Sequence, residues 1–101
     1  MSKDNHVIAM IQERTSNTPI LSKDIGNRLG ISGVVIRDIV HRARVDDNIP
    51  ICSGAKGYYM PRDMVEAQGT IRSLYSRAKQ NRKAAEGIEK FYNQDKQMSL
   101  I

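Results

Sequence analysis

Two short amphipathic segments separated by one glycine constrain the fold of this chain more than any other feature. In the first segment, Ser22 is a residue type that caps helices, and Ile25 and Leu29 lie four positions apart on one helical face. Gly30 follows, and a residue without a Cβ atom takes the left-handed conformation that ends a helix at little energetic cost. The pattern predicts a short helix that ends at Gly30.

A second helix is predicted over residues 33–45. Ser32 can cap its first turn, and residues 46–47 favour its end because negative charge is unfavourable at a helix C-terminus. Apolar residues at helical spacing predict its buried face: Val35, Ile36, Ile39, Val40 and Ala43. A helix, a tight glycine-containing turn and a second helix form the arrangement that places the second helix in a DNA major groove.

Two β-prone runs follow, at residues 49–52 (Ile-Pro-Ile-Cys) and 58–60 (Tyr-Tyr-Met). Between them, residues 53–57 (Ser-Gly-Ala-Lys-Gly) have the composition of a turn. The sequence therefore predicts a β-hairpin with a flexible tip that carries the positive charge of Lys56.

Together these elements resemble the winged-helix family, most of all the DNA-binding domain of biotin-operon-type repressors, whose hairpin, or wing, also ends in a Gly-Lys-Gly-Tyr-like sequence. The resemblance covers roughly residues 5–61 and implies a mainly α fold with a small β-wing, a short strand at Ile20 beside the wing, and double-stranded DNA as the partner. A winged helix used only for protein docking is the alternative. Those repressors carry a ligase domain after the wing, whereas in this sequence one predicted helix follows it. Neither ligase activity nor a small-molecule corepressor is therefore expected for this chain.

The winged helix-turn-helix domain is expected to span residues 1–61 and to begin with a helix at residues 5–14. Ser2 or Asp4 can cap this helix, whose apolar residues again recur at helical spacing.

Residues 62–96 are expected to form a long helix with Pro61 in its first turn, where proline is tolerated. Apolar residues recur every seven positions, which is the pattern of a helical hairpin or a two-stranded coiled coil. The predicted homodimer contacts are Ile71, Leu74, Tyr75, Ala78, Ala85, Ile88 and Tyr92. The alternative is that the first turns pack on the N-terminal domain and the rest stands in solvent.

The formal net charge of +5 and the pI of about 9.6 favour a polyanionic partner. The predicted DNA contacts are Lys23, Arg28, Ser32, Val34, Arg37, His41, Arg42, Arg44 and Lys56. Arg37 and Arg42 are the strongest candidates because a guanidinium group bridges guanine O6 and N7 or clamps a phosphate. Each can instead face solvent or pair with Asp38 or Asp46. Residues 33–48 have no net charge, so affinity is expected to depend on a few local contacts and on dimerisation.

The last five residues, 97–101, read Gln-Met-Ser-Leu-Ile and are expected to form a flexible tail. They resemble the bacterial sliding-clamp-binding pentapeptide, Gln-Leu-Ser-Leu-Phe. The resemblance implies that Gln97 is a polar anchor and that Met98, Leu100 and Ile101 fill an apolar cleft of the clamp. Isoleucine in place of phenylalanine at the last position is expected to weaken binding. The alternative is that the apolar residues fold back on the long helix.

No catalytic constellation, phosphate-binding loop or metal-ligand cluster is recognisable, so no enzyme activity, cofactor or metal is expected. The single Cys52 excludes an internal disulfide, and no apolar run reaches the ~20 residues that span a bilayer, so a cytoplasmic protein is expected.

Size and charge suit a bacteriophage protein. We expect a replication or recombination accessory that binds double-stranded DNA and is tethered to the sliding clamp. The alternatives are a dimeric repressor of a palindromic operator and a module that inhibits a host enzyme without binding DNA.

Overall fold

The computed structural model describes the backbone of residues 2–99 and the side chains of residues 2–94. The described elements are α1 (Lys3–Gln12), α2 (Ser22–Leu29), α3 (Gly33–Asp46), β1 (Cys52–Gly54), β2 (Gly57–Tyr59) and α4 (Met64–Ser99). The expected mainly helical fold, with a small antiparallel hairpin and a long C-terminal helix, is confirmed. The chain divides into two compact units, one up to Thr70 and one from Ile71.

The core of the first unit is formed by α1, α2, α3 and the residues that flank the hairpin. Its buried hydrophobic side chains are Val7, Ile11, Ile20, Ile25, Ile36, Ile39, Val40, Ala43, Ile51 and Cys52. The expected buried face of α3 is confirmed except at Val35, which is 44% exposed. A helical residue advances by about 100°, so Val35 falls at the edge of the face centred on Ile36 and Ala43.

The helix ends show which sequence signals act as caps. The Ser2 side chain accepts a hydrogen bond from the Asn5 amide and caps α1, so this helix begins two residues before the predicted start. Ser32 accepts from the Val35 amide and caps α3 as expected. The predicted cap at Ser22 is wrong, because Leu21 is the N-cap of α2 and makes no side-chain cap hydrogen bond.

The turn between α2 and α3 depends on Gly30. Its φ angle is +68°, the left-handed conformation that the sequence predicts for the end of α2. Its amide donates to the carbonyl of Gly26 at 2.8 Å, so one of the last carbonyl groups of α2 has a partner.

The hairpin pairs β1 with β2 in antiparallel register, with Cys52 opposite Tyr59 and Gly54 opposite Gly57. β1 starts and ends later than the predicted run at residues 49–52, and β2 starts and ends one residue earlier than the predicted run at residues 58–60. A two-residue loop, Ala55 and Lys56, joins the two strands. The expected short strand at Ile20 is confirmed as a bridge to Tyr58, with reciprocal backbone hydrogen bonds of 2.9 and 2.8 Å.

Helix α4 begins at Met64, so the prediction that Pro61 lies in its first turn is wrong. Asp63 is the cap instead, since its carboxylate accepts a hydrogen bond from the Glu66 amide at 2.9 Å. Inside the first unit, the buried hydroxyl of Thr70 accepts from the Ser53 amide at 3.1 Å and lies 3.3 Å from the Ser53 carbonyl oxygen. These contacts hold the first turns of α4 against β1.

Among the described residues, no helix combines the length and the hydropathy that crossing a bilayer requires.

Candidate nucleic-acid interface

The outer face of α3 is a row of exposed side chains opposite the buried face of that helix. Val34, Arg37 and His41 recur at spacings of three and four residues, so they lie on one side of the helix. Val34 is 67% exposed, whereas four other residues of the same helix are buried. An α-helix with such a face fits the width of a DNA major groove.

Arg37 is the cation of this face that remains available to a ligand. It has no hydrogen-bond or ion-pair partner among the residues that the structure describes. A Cβ atom placed on Gly33 would lie 3.4 Å from Nη1 of Arg37, so the guanidinium group extends back towards the start of α3. There it adds positive charge to the start of α3, which already carries the partial positive charge of a helix N-terminus.

An open groove of about 540 Å³ lies beside the start of α3 and is lined by residues of α2 and of the turn. Lys23 and Asn27 line it from α2, and Ser32 lines it from the α3 cap. Ser22 lines the groove as well, so one cation, one amide and two hydroxyls lie close to a helix N-terminus. This combination of donors is suited to a phosphate oxygen.

Arg42, the second arginine that the sequence favours, is paired with two acids. Its Nη1 lies 2.9 Å from an oxygen of Asp4, and its Nε lies 3.0 Å from an oxygen of Asp38. The hydrogen bond to Asp4, followed by that to Asp38, raises the pKa of Arg42 above its usual value. All three side chains are about half exposed, so these ion pairs contribute little stability and a phosphate group can compete for the guanidinium.

Arg44, another of the predicted DNA contacts, is partly buried and makes hydrogen bonds to residues in and beside the hairpin. Its Nε donates to the carbonyl oxygen of Ile51 at 2.9 Å, and its Nη2 lies 3.4 Å from Oγ of Ser53. The side chain therefore joins α3 to the hairpin and positions that hairpin. Because the carbonyl group of Ile51 is backbone, residue types alone carry no signal for this contact.

The remaining predicted DNA contacts are exposed on the first unit. Arg28 lies in the last turn of α2, and Lys56 lies in the two-residue loop of the hairpin. Asp24 in the first turn of α2 and Asp38 on α3 are acidic neighbours on the same two helices. Asn27 in the groove and the contact of Asp4 with Arg42 carry no signal in the sequence, because neither Asn27 nor Asp4 belongs to a recognisable binding motif.

The second unit carries the predicted dimer contacts on α4. Leu74, Tyr75, Ile88 and Tyr92 are between 41% and 76% exposed, whereas Ile71 is half-buried. The alanines of the predicted contact set are exposed as well: Ala78 and Ala85.

The predicted clamp-binding residues lie at or beyond the end of the described part. The backbone of α4 is helical to Ser99 and so includes the first positions of the segment expected to be a tail. Met98 and Gln97 lie outside the range whose side chains are described, and Leu100 and Ile101 lie outside the described residues altogether.

Comparisons with protein-family models, with curated proteins and with solved structures found no match for this chain. Among the described residues there is no group of three or more His, Cys, Asp or Glu side chains arranged to hold a metal ion. The outer face of α3 and the groove beside it are therefore the features on which a functional proposal rests.

Proposed function

We propose that this chain is a non-enzymatic protein that binds double-stranded DNA through the outer face of α3. The observation that supports this most is the exposed row of Val34, Arg37 and His41, which starts beside the groove between α2 and α3. A helix that buries one face in a core and exposes an arginine and an apolar residue on the other can read base edges in a major groove.

We propose that α2, the turn at Gly30 and α3 are a helix-turn-helix, and that the hairpin of β1 and β2 is its wing. Two features support this: the left-handed Gly30 between the helices, and the bridge from Ile20 to Tyr58 that adds a third, short strand to the hairpin.

Each exposed residue has a specific role in this proposal. Arg37 bridges guanine O6 and N7 or clamps a phosphate, and Val34 contacts a thymine methyl group. Lys23 and Ser32 hold a phosphate at the start of α3, and Lys56 reaches a neighbouring phosphate from the wing. Arg42 joins the interface when phosphate replaces one of its two carboxylate partners.

The test is DNA affinity measured by fluorescence anisotropy with a labelled duplex over a series of salt concentrations. Arg37→Ala should lower affinity by about tenfold or more, because a guanine or phosphate contact is lost. Loss of a phosphate contact would also reduce the salt slope by about one unit. Lys90→Ala is the matched control: it removes the same charge from an exposed position on α4. Equal losses in the two variants would show that only net charge matters and would contradict the α3 model.

Two roles for DNA binding follow from different parts of the sequence. We propose a replication or recombination accessory in which the last five residues tether the protein to a sliding clamp. The alternative is a repressor, which should select a palindromic site with half-sites about one helical turn apart. Selection of bound duplexes from a random pool separates the two, because an accessory should enrich no palindrome.

A protein-docking role is the candidate of a different class. Leu21, Val34 and Val35 are exposed apolar residues of the first unit, and Asp38 places an acid on α3. Apolar side chains beside acids suit a protein partner better than a phosphate backbone. If the unaltered chain binds no duplex even at low salt, this role replaces the DNA model.

A further inference from the structure

The positive charge of the chain is concentrated in the second unit. Residues 1–70 contain nine lysines and arginines against eight aspartates and glutamates, whereas residues 71–101 contain seven against three. Five of those seven cations lie between Arg72 and Lys83, and no acid occurs from position 67 to position 85. The net charge of +5 that favours a polyanionic partner therefore belongs mainly to α4.

Tyr75 lies within a row of these cations. Arg72 precedes it by three residues, and Lys79 and Arg82 follow it by four and by seven, so the four side chains lie on one side of α4. The side chain of Tyr75 is 76% exposed and makes no ring contact among the described residues. Lys79 and Arg82 have no hydrogen-bond or ion-pair partner in the described range. This side of the helix thus presents an open aromatic face between cations.

We propose that this side of α4 binds single-stranded nucleic acid. One base stacks on Tyr75, and Arg72, Lys79 and Arg82 hold the phosphates on either side of it. Aromatic rings among cations bind single strands with little sequence preference, because every base has a face that can stack and every nucleotide carries a phosphate. In a duplex the bases are already paired and stacked, so the ring selects the single strand. The row extends over about 15 Å of helix, so the site holds only a few nucleotides.

The inference goes beyond the proposed function, because it concerns a surface other than the outer face of α3 and a different form of nucleic acid. It stands whether or not α3 enters a major groove.

A membrane surface fits this helix less well. A helix that lies on a bilayer needs a continuous apolar side opposite its cations. On α4, the side opposite the row of Tyr75 carries Ser73, Arg77 and Asn81 at intervals of four residues. A charge and two polar side chains therefore occupy the positions where lipid contact would be needed, and the charge pattern favours nucleic acid.

Fluorescence anisotropy with a labelled single-stranded oligothymidine tests the stacking contact in the full-length protein. Tyr75→Leu should lower affinity about tenfold, because one stacked base is lost. Tyr75→Phe should keep the affinity, because the ring remains. The tyrosine fluorescence of the unaltered chain should also fall on binding, and most of that fall should disappear in Tyr75→Leu.

Tyr92→Leu is the matched control for the stacking contact. Tyr92 is 64% exposed on the same helix, but its ring packs edge-on against Phe91. Glu89 stands three residues before Tyr92, at the position where Tyr75 has a cation. Equal losses in Tyr75→Leu and Tyr92→Leu, or no binding of oligothymidine by the unaltered chain at low salt, would overturn the proposal.

The salt dependence tests the phosphate contacts. The double variant Lys79→Gln and Arg82→Gln should reduce the salt slope by about 0.7 unit for each cation removed, the value for single strands. Lys90→Gln is the control: Lys90 is exposed on the same helix but has Glu86 and Glu89 as near neighbours, so the slope should stay almost unchanged. A double variant with the slope of the unaltered chain would contradict the proposed contacts.

Two further probes separate this site from α3 and from lipid. Tyr75→Leu should bind duplex DNA as the unaltered chain does, and an equal loss on both probes would overturn the proposal. Failure of Arg37→Ala to weaken duplex binding would contradict the α3 model alone. Vesicles that contain phosphatidylglycerol should not bind. Vesicle binding that disappears in the double variant Lys79→Gln and Arg82→Gln would assign this surface to lipid instead.

Discussion

At the scale of single residues, Gly57 shows why the hairpin carries glycine after its loop. Its φ angle is +122°, a conformation that residues with a Cβ atom rarely adopt. A Cβ atom there would overlap the carbonyl group of Ile20 and lie 2.7 Å from the amide of Leu21. The glycine therefore allows the chain at Ile20 to approach and to form the bridge with Tyr58.

Gly57→Ala should destabilise the protein by about 2 kcal/mol or more, because it combines backbone strain with overlap against main-chain atoms that cannot move aside. Gly54→Ala is the matched control: it lies in the same hairpin, has no positive φ, and a Cβ atom there meets nothing within 4 Å. Urea unfolding followed by circular dichroism measures both. Equal stability of the two variants would contradict the close approach at Ile20.

Single residues also show where prediction from sequence stops. Gly30 and Ser32 act locally, through their own backbone or a neighbouring amide, and their predicted roles are confirmed. The pairing of Arg42 with Asp38, four positions earlier on α3, is the alternative that the sequence offers and is confirmed. The other partners are decided by tertiary packing: Asp4 lies 38 positions from Arg42, and Ile51 contributes only its carbonyl group to Arg44. No local pattern encodes the contacts with Asp4 and Ile51. The sequence therefore predicts exposed arginines on α3 but does not show which of them are available to a ligand.

At the scale of elements, α3 is a helix whose positive charge is partly neutralised. Arg42 contacts Asp4 from α1 and Asp38 from its own helix. Because the pKa of Arg42 is raised in the folded state, any stability that its charged form contributes is fully present at pH values below the unfolded-state pKa. It is lost only as the pH rises through the higher folded-state pKa. Its charge is therefore constant across the physiological range, and only the two acids limit its availability.

Removing those acids should strengthen DNA binding if α3 enters the groove. The double variant Asp4→Asn and Asp38→Asn removes two charges that repel phosphate and frees Arg42, so affinity should rise several-fold at ~0.1 M salt. The control, Glu13→Gln, neutralises an exposed acid just after α1. Anisotropy titrations compare the variants, and an unchanged affinity in the double variant would argue against α3 as the contact helix.

The first residue of a helix depends on competition between neighbouring capping residues, which explains why the predicted starts of α2 and α4 are wrong. Ser22 and Pro61 are both common at helix starts, yet Leu21 and Asp63 occupy the cap positions. In α4, the Asp63 carboxylate satisfies the Glu66 amide, and the Glu66 carboxylate accepts from the Arg62 amide at 3.3 Å and from Arg62 Nε at 2.9 Å. This reciprocal arrangement resembles a capping box and moves the start past the proline.

At the scale of the whole molecule, the chain joins a small packed unit to a long helix whose side chains are mostly exposed from position 72 onwards in the described range. The buried core of the first unit could be predicted because helical periodicity is local. A contact with another molecule has no such local determinant, because a single sequence specifies it only through complementarity and short motifs.

The proposed tether gives the prediction that concerns the whole chain. A bacterial sliding clamp immobilised for biolayer interferometry should bind the intact chain, and a chain ending at Lys96 should show no binding, because the anchor Gln97 and the apolar residues after it are gone. Gln97→Ala should weaken binding, whereas Gln94→Ala, one helical turn earlier, should not. Both full-length variants keep the complete apolar end, so the comparison isolates the anchor from general hydrophobic adhesion. Equal binding of the intact and shortened chains, or binding by neither, would contradict the tether, and a repressor role would then account better for the DNA-binding unit.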